Sequence, residues 1–188
     1  LIDVEYEVLP SVMTAPEAMK EDAPILHENL TTDELGVKTD EVSNVAEHFQ
    51  HSFGDIEKGF AEADVVIERE FNMATVHQGY IEPHNFNVNW NKDGRVHIWL
   101  STQGPFEIRD AAAKLLDLPM SDLKVTPMEI GGGFGAKFSV FAAPIAALLS
   151  KKTGHPVKIV NTRVEEFEAA TPTCGSYVRV KIGATNEG

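Results

Sequence analysis

The sequence contains a single cysteine, Cys174, among its 188 residues. One cysteine excludes an internal disulfide framework and a zinc site built only from thiolates. A lone thiol is typical of a reducing compartment, so it predicts a cytoplasmic protein. No base is spaced in the sequence to activate Cys174, and we interpret it as a structural thiol rather than a nucleophile.

Long apolar runs are also missing. No uninterrupted apolar stretch reaches the roughly 18 residues that a membrane-spanning helix needs, so no membrane span is expected. The chain does not begin with Met. We therefore expect Leu1 to be an interior residue of a longer polypeptide.

Basic residues are scarce in the first part of the chain. Residues 1–70 carry 18 acidic and only 4 basic side chains, whereas residues 71–188 carry 11 acidic and 12 basic ones. An acidic surface repels nucleic acid and anionic membranes, so neither partner is predicted. The near-neutral second part is the better place for a negatively charged cofactor.

Strand-like and helix-like patterns alternate irregularly, which predicts an α+β fold of mixed sheets with packed helices. Residues 3–9 alternate apolar and acidic side chains and predict a strand. The polar residues 30–52 predict a loop or linker, with a domain boundary near residue 30. Further strands are predicted at 64–71, 86–90, 95–101, 123–130, 156–160 and 177–184, and helices at 55–63, 105–117, 141–149 and 163–169. The Asp93-Gly94 pair favours a hairpin turn.

The most informative segment is GGGFGAK, Gly131 to Lys137, which we call the glycine loop. Glycine loses the most backbone freedom on folding, so four glycines in five positions are costly to order. That cost is tolerated where the main chain itself must contact something. Backbone N–H groups with no Cβ nearby can bind an anionic or oxo-bearing ligand. The alternative is a tight turn between a strand and a helix that binds no ligand.

Two nucleotide-binding motifs compare differently with this loop. A Walker-type phosphate loop requires Gly-Lys followed by Ser or Thr, and Ala136 and Phe138 exclude it. A dinucleotide fingerprint fits Gly131, Gly133 and Ala136. Its acidic ribose ligand is missing, although Arg163 could accept a 2′-phosphate instead. This alternative remains open, and the predicted hairpin upstream weighs against it.

A second polar constellation, VHQGYIEPHN, precedes the loop. His77, Glu82 and His84 include residue types that bind metals. On a strand, however, His77 would point away from the other two, and Gly79 and Pro83 indicate an irregular segment. We therefore interpret these residues as a polar wall of a pocket and predict no direct metal ligand.

Three segments together, HQGYIEPH (77–84), STQGPFEIRDAAAKLLDLP (101–119) and GGGFGAK, resemble the molybdenum hydroxylase family. This family comprises the molybdopterin-binding large subunits of xanthine dehydrogenase, aldehyde oxidase and aerobic carbon monoxide dehydrogenase. PVKIVNTRVEEF (156–167) also resembles it. By the same resemblance, residues 1–29 are the tail of a preceding small, hammerhead-like α/β domain with a connector. Residues 30–188 are then the N-terminal part of the molybdopterin-binding domain.

The resemblance implies a cofactor, a reaction and site residues. Gly132, Gly133, Phe134 and Gly135 would contact the molybdenum–molybdopterin group, and the reaction would be hydroxylation of a carbon with oxygen from water. Iron–sulfur clusters and FAD would lie on partner subunits or domains. The general-base glutamate would lie far downstream, so no catalytic residue is expected here. The isolated chain is expected to bind no stable cofactor and to be inactive.

Two departures from the family pattern bear on the substrate. Xanthine-type members carry a glutamine six residues before the Glu of the Glu-Pro segment, where this chain has Val76. Gln78, two residues further on, is the candidate for that cofactor contact. Purine-directed members place Glu directly after the loop lysine, where this chain has Phe138. An aldehyde or another aromatic heterocycle is therefore the expected small-molecule substrate.

A third function class is a non-enzymatic interaction module that docks through its acidic first part. That hypothesis predicts salt-sensitive association and indifference to changes in the glycine loop. In the enzyme hypothesis the partners are instead the remainder of the large subunit and the iron–sulfur and flavin subunits or domains.

Overall fold

A computed structural model describes residues 3–188, which form two compact units. The central unit is Thr75–Cys174, and the flanking unit is the chain up to Ala74 together with Gly175–Gly188. The predicted α+β class is confirmed by the mixture of sheets and helices. Within residues 3–188, every helix is too short or too polar to cross a membrane.

The elements follow one another along the chain as α1 (Ala15–Ala18), β1 (Thr31–Glu34), β2 (Val37–Val42), β3 (Glu47–His48), α2 (Ile56–Glu62), β4 (Val65–Met73), β5 (Asn85–Trp90), β6 (Val96–Leu100), α3 (Pro105–Leu115), a 3₁₀ turn (Met120–Asp122), β7 (Leu123–Pro127), α4 (Ala143–Thr153), β8 (Val157–Val160), α5 (Arg163–Ala169) and β9 (Ser176–Ala184).

The central unit contains a four-stranded sheet in the order β7-β6-β5-β8. β5 and β6 form the predicted hairpin, whose turn ends at Gly94 with φ +91°. β7 lies parallel to β6 after the α3 crossover, and β8 lies antiparallel to β5. Helices α3 and α4 cover one face of this sheet, and the strands contribute the alternate residues Phe86, Val88, Val96, Ile98 and Leu100 to the core between them.

Local sequence signals fix the helix ends of the central unit. Pro105 begins α3, where its missing N–H leaves no hydrogen bond unmade. α4 is capped at its C-terminal end by Gly154, whose left-handed φ of +70° suits glycine. α5 begins with a capping box between Thr162 and Glu165, in which each side chain bonds the other residue's backbone N–H.

The flanking unit contains two small sheets. One has the order β2-β1-β3, and the other is an antiparallel ribbon of β4 and β9 paired along nine residues each. Helix α2 packs on β9, and its N-cap Asp55 accepts a hydrogen bond from the Lys58 N–H. None of the flanking residues that the structure describes is buried.

Two predictions for the flanking unit are wrong. Residues 3–9 form no strand, because no other part of residues 3–188 pairs with them and a strand needs a hydrogen-bonded neighbour. Residues 30–52 are not a loop, because β1, β2 and β3 form a sheet there. Polar side chains support that sheet, since the Thr32 hydroxyl donates to the Val45 carbonyl and the Thr39 hydroxyl to the Thr32 carbonyl.

Two elements near the glycine loop are shorter or later than predicted. β7 ends at Pro127, and beyond it the Met128 N–H still donates to the Leu100 carbonyl, but residues 128–130 are not part of the strand. α4 begins at Ala143 instead of 141, with Pro144 in its first turn. Residues 138–142 therefore separate the glycine loop from the helix N-terminus, which does not follow the glycines directly.

Candidate cofactor-binding site

The three separated segments that resemble the molybdenum hydroxylases meet around the glycine loop. Glu82 of the first segment and Gln103 of the second both accept hydrogen bonds from loop N–H groups. The loop therefore has a fixed position within the central unit, between the start of β5 and the start of α3.

Glu82 holds the beginning of the loop. Its Oε2 accepts hydrogen bonds from the Gly131 N–H and from Lys137 Nζ, each at 2.7 Å. Its Oε1 accepts one from the Asn85 side chain at 3.2 Å, and the Glu82 N–H donates to the Gly131 carbonyl at 3.3 Å. Burial raises the pKa of Glu82, but the bonds from Lys137 and Gly131 outweigh it, so the pKa lies below its usual value.

Gln103 holds the end of the loop. Its Oε1 accepts hydrogen bonds from the N–H groups of Gly135, at 3.0 Å, and Lys137, at 3.3 Å. The Lys137 carbonyl in turn accepts bonds from the Gln103 N–H and the Thr102 hydroxyl, both at 2.9 Å. Gln103, two residues before α3, and Lys137, the last residue of the loop, are thus bonded in both directions.

The loop backbone occupies conformations that favour glycine. Gly132 and Gly135 have φ of +91° and +96°, and Phe134 between them has φ of +50°, which is uncommon for a residue with a side chain. A Cβ at Gly133 would lie 2.5 Å from Gln103 Oε1, and one at Gly131 would lie 2.6 Å from Glu82 Cβ. A side chain at either position would therefore push aside Gln103 or Glu82, the two residues that hold the loop.

Three consecutive N–H groups of the loop remain without a partner. Among residues 3–188 no acceptor takes the N–H of Gly132, Gly133 or Phe134, while those of Gly131, Gly135, Ala136 and Lys137 are all bonded. The Phe134 ring is 73% exposed. A run of free main-chain donors beside an exposed aromatic ring fits an anionic group with an apolar neighbour. These residues therefore suit the oxygen- and sulfur-rich cofactor that the sequence predicts.

Beneath the loop lies a buried polar cluster formed by Tyr80, His84, Asn161 and Glu166. Glu166 is fully buried and accepts bonds from the His84 N–H at 2.8 Å, His84 Nδ1 at 2.5 Å, Asn161 Nδ2 at 3.2 Å and the Tyr80 hydroxyl. Burial raises the pKa of Glu166, but the bonds from Tyr80 and His84 outweigh it and lower the pKa to about 2. Burial together with the bond to Glu166 raises the pKa of Tyr80.

This cluster connects α5 with the segment before β5. The Arg163 guanidinium also donates to the carbonyls of Tyr80 and Ile81. His84 stacks on Phe141, with ring centroids 5.0 Å apart. The segment 77–84 is therefore held on one side by α5 and on the other by the residues that precede α4.

The remaining predicted residues lie in different surroundings. Gln78 Nε2 donates to the Thr171 carbonyl at 3.2 Å, and its buried Oε1 has no partner within residues 3–188. Its assignment as a cofactor contact stays a prediction, as do those of the four loop residues. Cys174 is exposed.

His77, Glu82 and His84 do not converge. Glu82 bonds Lys137 and His84 bonds Glu166, whereas His77 packs against Tyr80 and Phe167. In the part of the chain that the structure describes, no three His, Cys, Asp or Glu side chains are placed to hold a metal ion.

The dinucleotide-binding alternative at Gly131, Gly133 and Ala136 is wrong. That fingerprint needs a helix that begins at the glycines and two parallel neighbouring strands on either side of it. Here α4 begins at Ala143, and β8 pairs antiparallel with β5 instead of lying beside β7. Arg163, the proposed phosphate contact, is bonded to the carbonyls of Tyr80 and Ile81.

Sequence reasoning missed the site roles of Gln103, Lys137 and Glu166. Gln103 lies in the STQG segment two residues before Pro105, the first residue of α3, and this place ahead of a predicted helix is a signal that could have indicated its role. Lys137 ends the glycine loop, and once Ala136 and Phe138 exclude a Walker-type motif, no local pattern indicates its pairing with Glu82. Glu166 follows another glutamate in the sequence Val164-Glu165-Glu166-Phe167, and nothing local shows which of the two points inward.

Comparison with known proteins agrees with this geometry. The family model described as "Molybdopterin cofactor-binding domain" matches residues 37–188. The probable hypoxanthine oxidase XdhD of Escherichia coli O157:H7 is 35% identical over 212 aligned residues, which cover 100% of this chain and 22% of that protein. The nicotinate dehydrogenase large molybdopterin subunit of Eubacterium barkeri is 28% identical, covering 100% of this chain and 41% of that subunit.

A solved structure shows the same fold. The reconstituted CO dehydrogenase from Oligotropha carboxidovorans superposes with a TM-score of 0.74 at 28% identity, covering 99% of this chain and 24% of that one. The chain thus spans between about a fifth and two fifths of the length of these proteins. With the family model matching most of its length, the chain belongs to the molybdopterin cofactor-binding domain family of the molybdenum hydroxylase large subunits.

Proposed function

We propose that this chain is part of a longer oxidoreductase large subunit and supplies one wall of its molybdenum–molybdopterin site. The observation that carries the proposal is the run of free N–H groups at Gly132, Gly133 and Phe134, held between the bonds to Glu82 and Gln103. Main-chain donors fixed in place stabilise negative charge without having to reorganise during a reaction.

When bound, the molybdenum–molybdopterin group supplies the two-electron oxidation for hydroxylation of a carbon with oxygen from water. The chain's own part is to bind and orient this group. The N–H groups at Gly132, Gly133 and Phe134 donate to its anionic atoms, and the exposed Phe134 ring excludes water beside them. Lys137 takes no part in this contact, because its fully buried ammonium is paired with Glu82.

The substrate we propose is an aldehyde or an aromatic heterocycle other than a purine. Phe138, directly after Lys137, places a half-exposed apolar ring next to the loop, where a carboxylate would be needed to recognise a polar purine edge. The relatives do not share one substrate class, since their names refer to hypoxanthine, nicotinate and carbon monoxide. Substrate oxidation assays on the longer protein with benzaldehyde, nicotinate and hypoxanthine distinguish these classes.

The general base lies outside this chain in our proposal. A base that accepts a proton near neutral pH needs a pKa raised toward 7. Glu82, which bonds the loop, and Glu166, in the buried cluster, have lowered pKa values and are bonded to Lys137 and His84. Their charges are used to hold the structure, so the isolated chain turns over no substrate.

The partners we propose are the remainder of the large subunit and iron–sulfur and flavin subunits or domains, which carry the electrons away. We also propose a cytoplasmic location, supported by the presence of only one cysteine in the sequence, Cys174.

Metal and pterin analysis tests the proposal. The 188-residue chain purified alone should contain little molybdenum, whereas the longer polypeptide that includes it should contain nearly one molybdenum per chain. In the longer polypeptide, Gly133→Ala should reduce molybdenum content at least about tenfold, because its Cβ would displace Gln103 and disturb the free donors.

Gly59→Ala is the matched control, because a Cβ there meets nothing within 4 Å. Full molybdenum content in the Gly133→Ala protein, or stoichiometric molybdenum in the isolated chain, would contradict the proposal.

A further inference from the structure

Lys137 is a buried cation with one anionic partner. Its side chain is 0% exposed, and Glu82 is the acceptor that its Nζ reaches within residues 3–188. The Tyr80 ring lies beneath it, with the centroid 5.0 Å from Nζ. A charge removed from water needs a well-placed counter-ion, so the position of Lys137 depends on Glu82.

One oxygen atom couples this ion pair to the loop backbone. Glu82 Oε2 accepts from both Lys137 Nζ and the Gly131 N–H, each at 2.7 Å. Lys137 is also the last residue of the loop, and its N–H donates to Gln103 Oε1. The pair therefore joins the first and last residues of the loop through a single carboxylate, and the free donors lie between them.

We propose that Glu82 and Lys137 are positioning residues whose ion pair closes the glycine loop and sets which of its N–H groups stay free for an anionic cofactor. This inference rests on the proposed function for the identity of the ligand. It concerns residues that do not themselves contact the cofactor. Glu82 takes the Gly131 N–H as a hydrogen-bond donor. The closed loop leaves the N–H groups of Gly132, Gly133 and Phe134 available to a ligand.

The surroundings of Glu82 make its charge the deciding property. Arg163 and His84, which lie near it in the sequence or the fold, are already bonded, Arg163 to the carbonyls of Tyr80 and Ile81 and His84 to Glu166. Asn85 contributes a neutral donor. A neutral glutamine at position 82 could still accept from Gly131 but could not pair with the Lys137 ammonium.

Nuclear magnetic resonance of the ¹⁵N-labelled 188-residue chain tests this inference without any cofactor. An amide bonded to a carboxylate changes its proton chemical shift when that carboxylate ionises. The proton chemical shift of the Gly131 amide should therefore change with pH as Glu82 ionises, with a midpoint below the usual glutamate value of about 4.3. In Lys137→Met, which removes the charge and keeps an apolar stem, the midpoint should rise by about 1 pH unit or more.

The loop signals give a second readout. In Lys137→Met, the amide signals of Gly132, Gly133 and Phe134 should shift or broaden as the loop loosens. In Glu82→Gln, the pH dependence at Gly131 should disappear. Lys58→Met is the matched control, because it breaks only the exposed pair with Glu62 and should leave every loop signal unchanged.

An unchanged Gly131 midpoint in Lys137→Met, with unchanged loop signals, would overturn the inference. If that variant does not fold, the native chain decides alone, because a Gly131 amide that does not titrate below the usual range would also overturn it. Molybdenum content plays no part in these measurements, so a failure here is distinguishable from a failure of the proposed function.

Discussion

The central and flanking units differ most in what they bury. Every buried side chain in residues 3–188 belongs to the central unit, between Tyr80 and Glu166. The flanking unit is ordered by backbone ladders instead, and its β4–β9 ribbon pairs nine residues on each strand. Two-stranded ribbons without a core are marginally stable in water. One chain therefore combines a region that holds a site rigidly with a region whose order rests on hydrogen-bonded pairing.

The ribbon shows what this difference means for side chains. Val65, Ile67 and Phe71 lie on one face of β4, each about half exposed, while Glu68 and Glu70 on the opposite face pair with Arg179 of β9. Apolar residues that remain half exposed contribute only about half of their transfer free energy, because that energy scales with the area buried. We therefore expect equivalent substitutions to have very different effects in the two units.

The largest effect is expected for Glu166→Ala in the central unit. This change leaves His84, Tyr80 and Asn161 without their acceptor in a buried position, and we expect a loss of about 3–5 kcal/mol in the free energy of unfolding. Urea unfolding followed by the fluorescence of Trp90 and Trp99 measures it, because both tryptophans lie in the central unit.

The matched change in the flanking unit is Glu68→Ala, which removes an exposed partner of Arg179. We expect no measurable shift in the same unfolding curve, because exposed ion pairs are screened by water. Equal destabilisation by the two variants would remove the distinction between the units.

A smaller contrast is expected for core and ribbon isoleucines. Ile98 of β6 is fully buried on the face covered by the helices, so Ile98→Ala should lower the free energy of unfolding by about 3 kcal/mol. Ile67 is 51% exposed, and Ile67→Ala should cost less than about 1 kcal/mol. Urea unfolding of both variants tests the comparison, with hydrogen exchange of the β4 and β9 amides reporting on the flanking unit. A larger loss for Ile67 would indicate that the ribbon face is buried in solution.

The smallest effect is expected for Gly59→Ala in α2. Gly59 lies inside the helix, its φ is not left-handed, and a Cβ there meets nothing within 4 Å. Alanine should stabilise the helix by about 0.5–1 kcal/mol, because glycine loses more backbone freedom on folding. A rise in helicity by circular dichroism checks this, and a loss would indicate an unrecognised contact at that surface.

The sequence predicted the central unit better because burial produces periodic patterns. The strands at 86–90 and 95–101 and the helix at 105–117 carry apolar residues at the spacing of one buried face, and all three are observed. In the flanking unit the strands predicted at 64–71 and 177–184 and the helix predicted at 55–63 are also observed, whereas the patterns before residue 53 gave wrong predictions. The alternation at 3–9 led to a wrong strand, and the polar composition at 30–52 concealed three real ones.

The candidate site was predictable only in part, for a different reason. The glycine loop is conspicuous in sequence because its composition is unusual. Its holders, Glu82 and Gln103, lie 49 and 32 residues before the amides that they bond. Pairing across such distances depends on the fold, so no local pattern could show that one carboxylate bonds both Gly131 and Lys137.

The connection between the two units has a consequence for how the chain folds. Met73 pairs with Ser176 at one end of the ribbon, and Val76 pairs with Thr173 where the central unit begins and ends. If the central unit, which inserts about 100 residues between β4 and β9, were unfolded, pairing the two strands would cost about 4 kcal/mol of chain entropy. Once the central unit has folded, its two ends already lie side by side, and most of that entropy cost disappears. The β4–β9 ribbon should therefore form last in folding. A variant that unfolds the central unit should also unpair the ribbon.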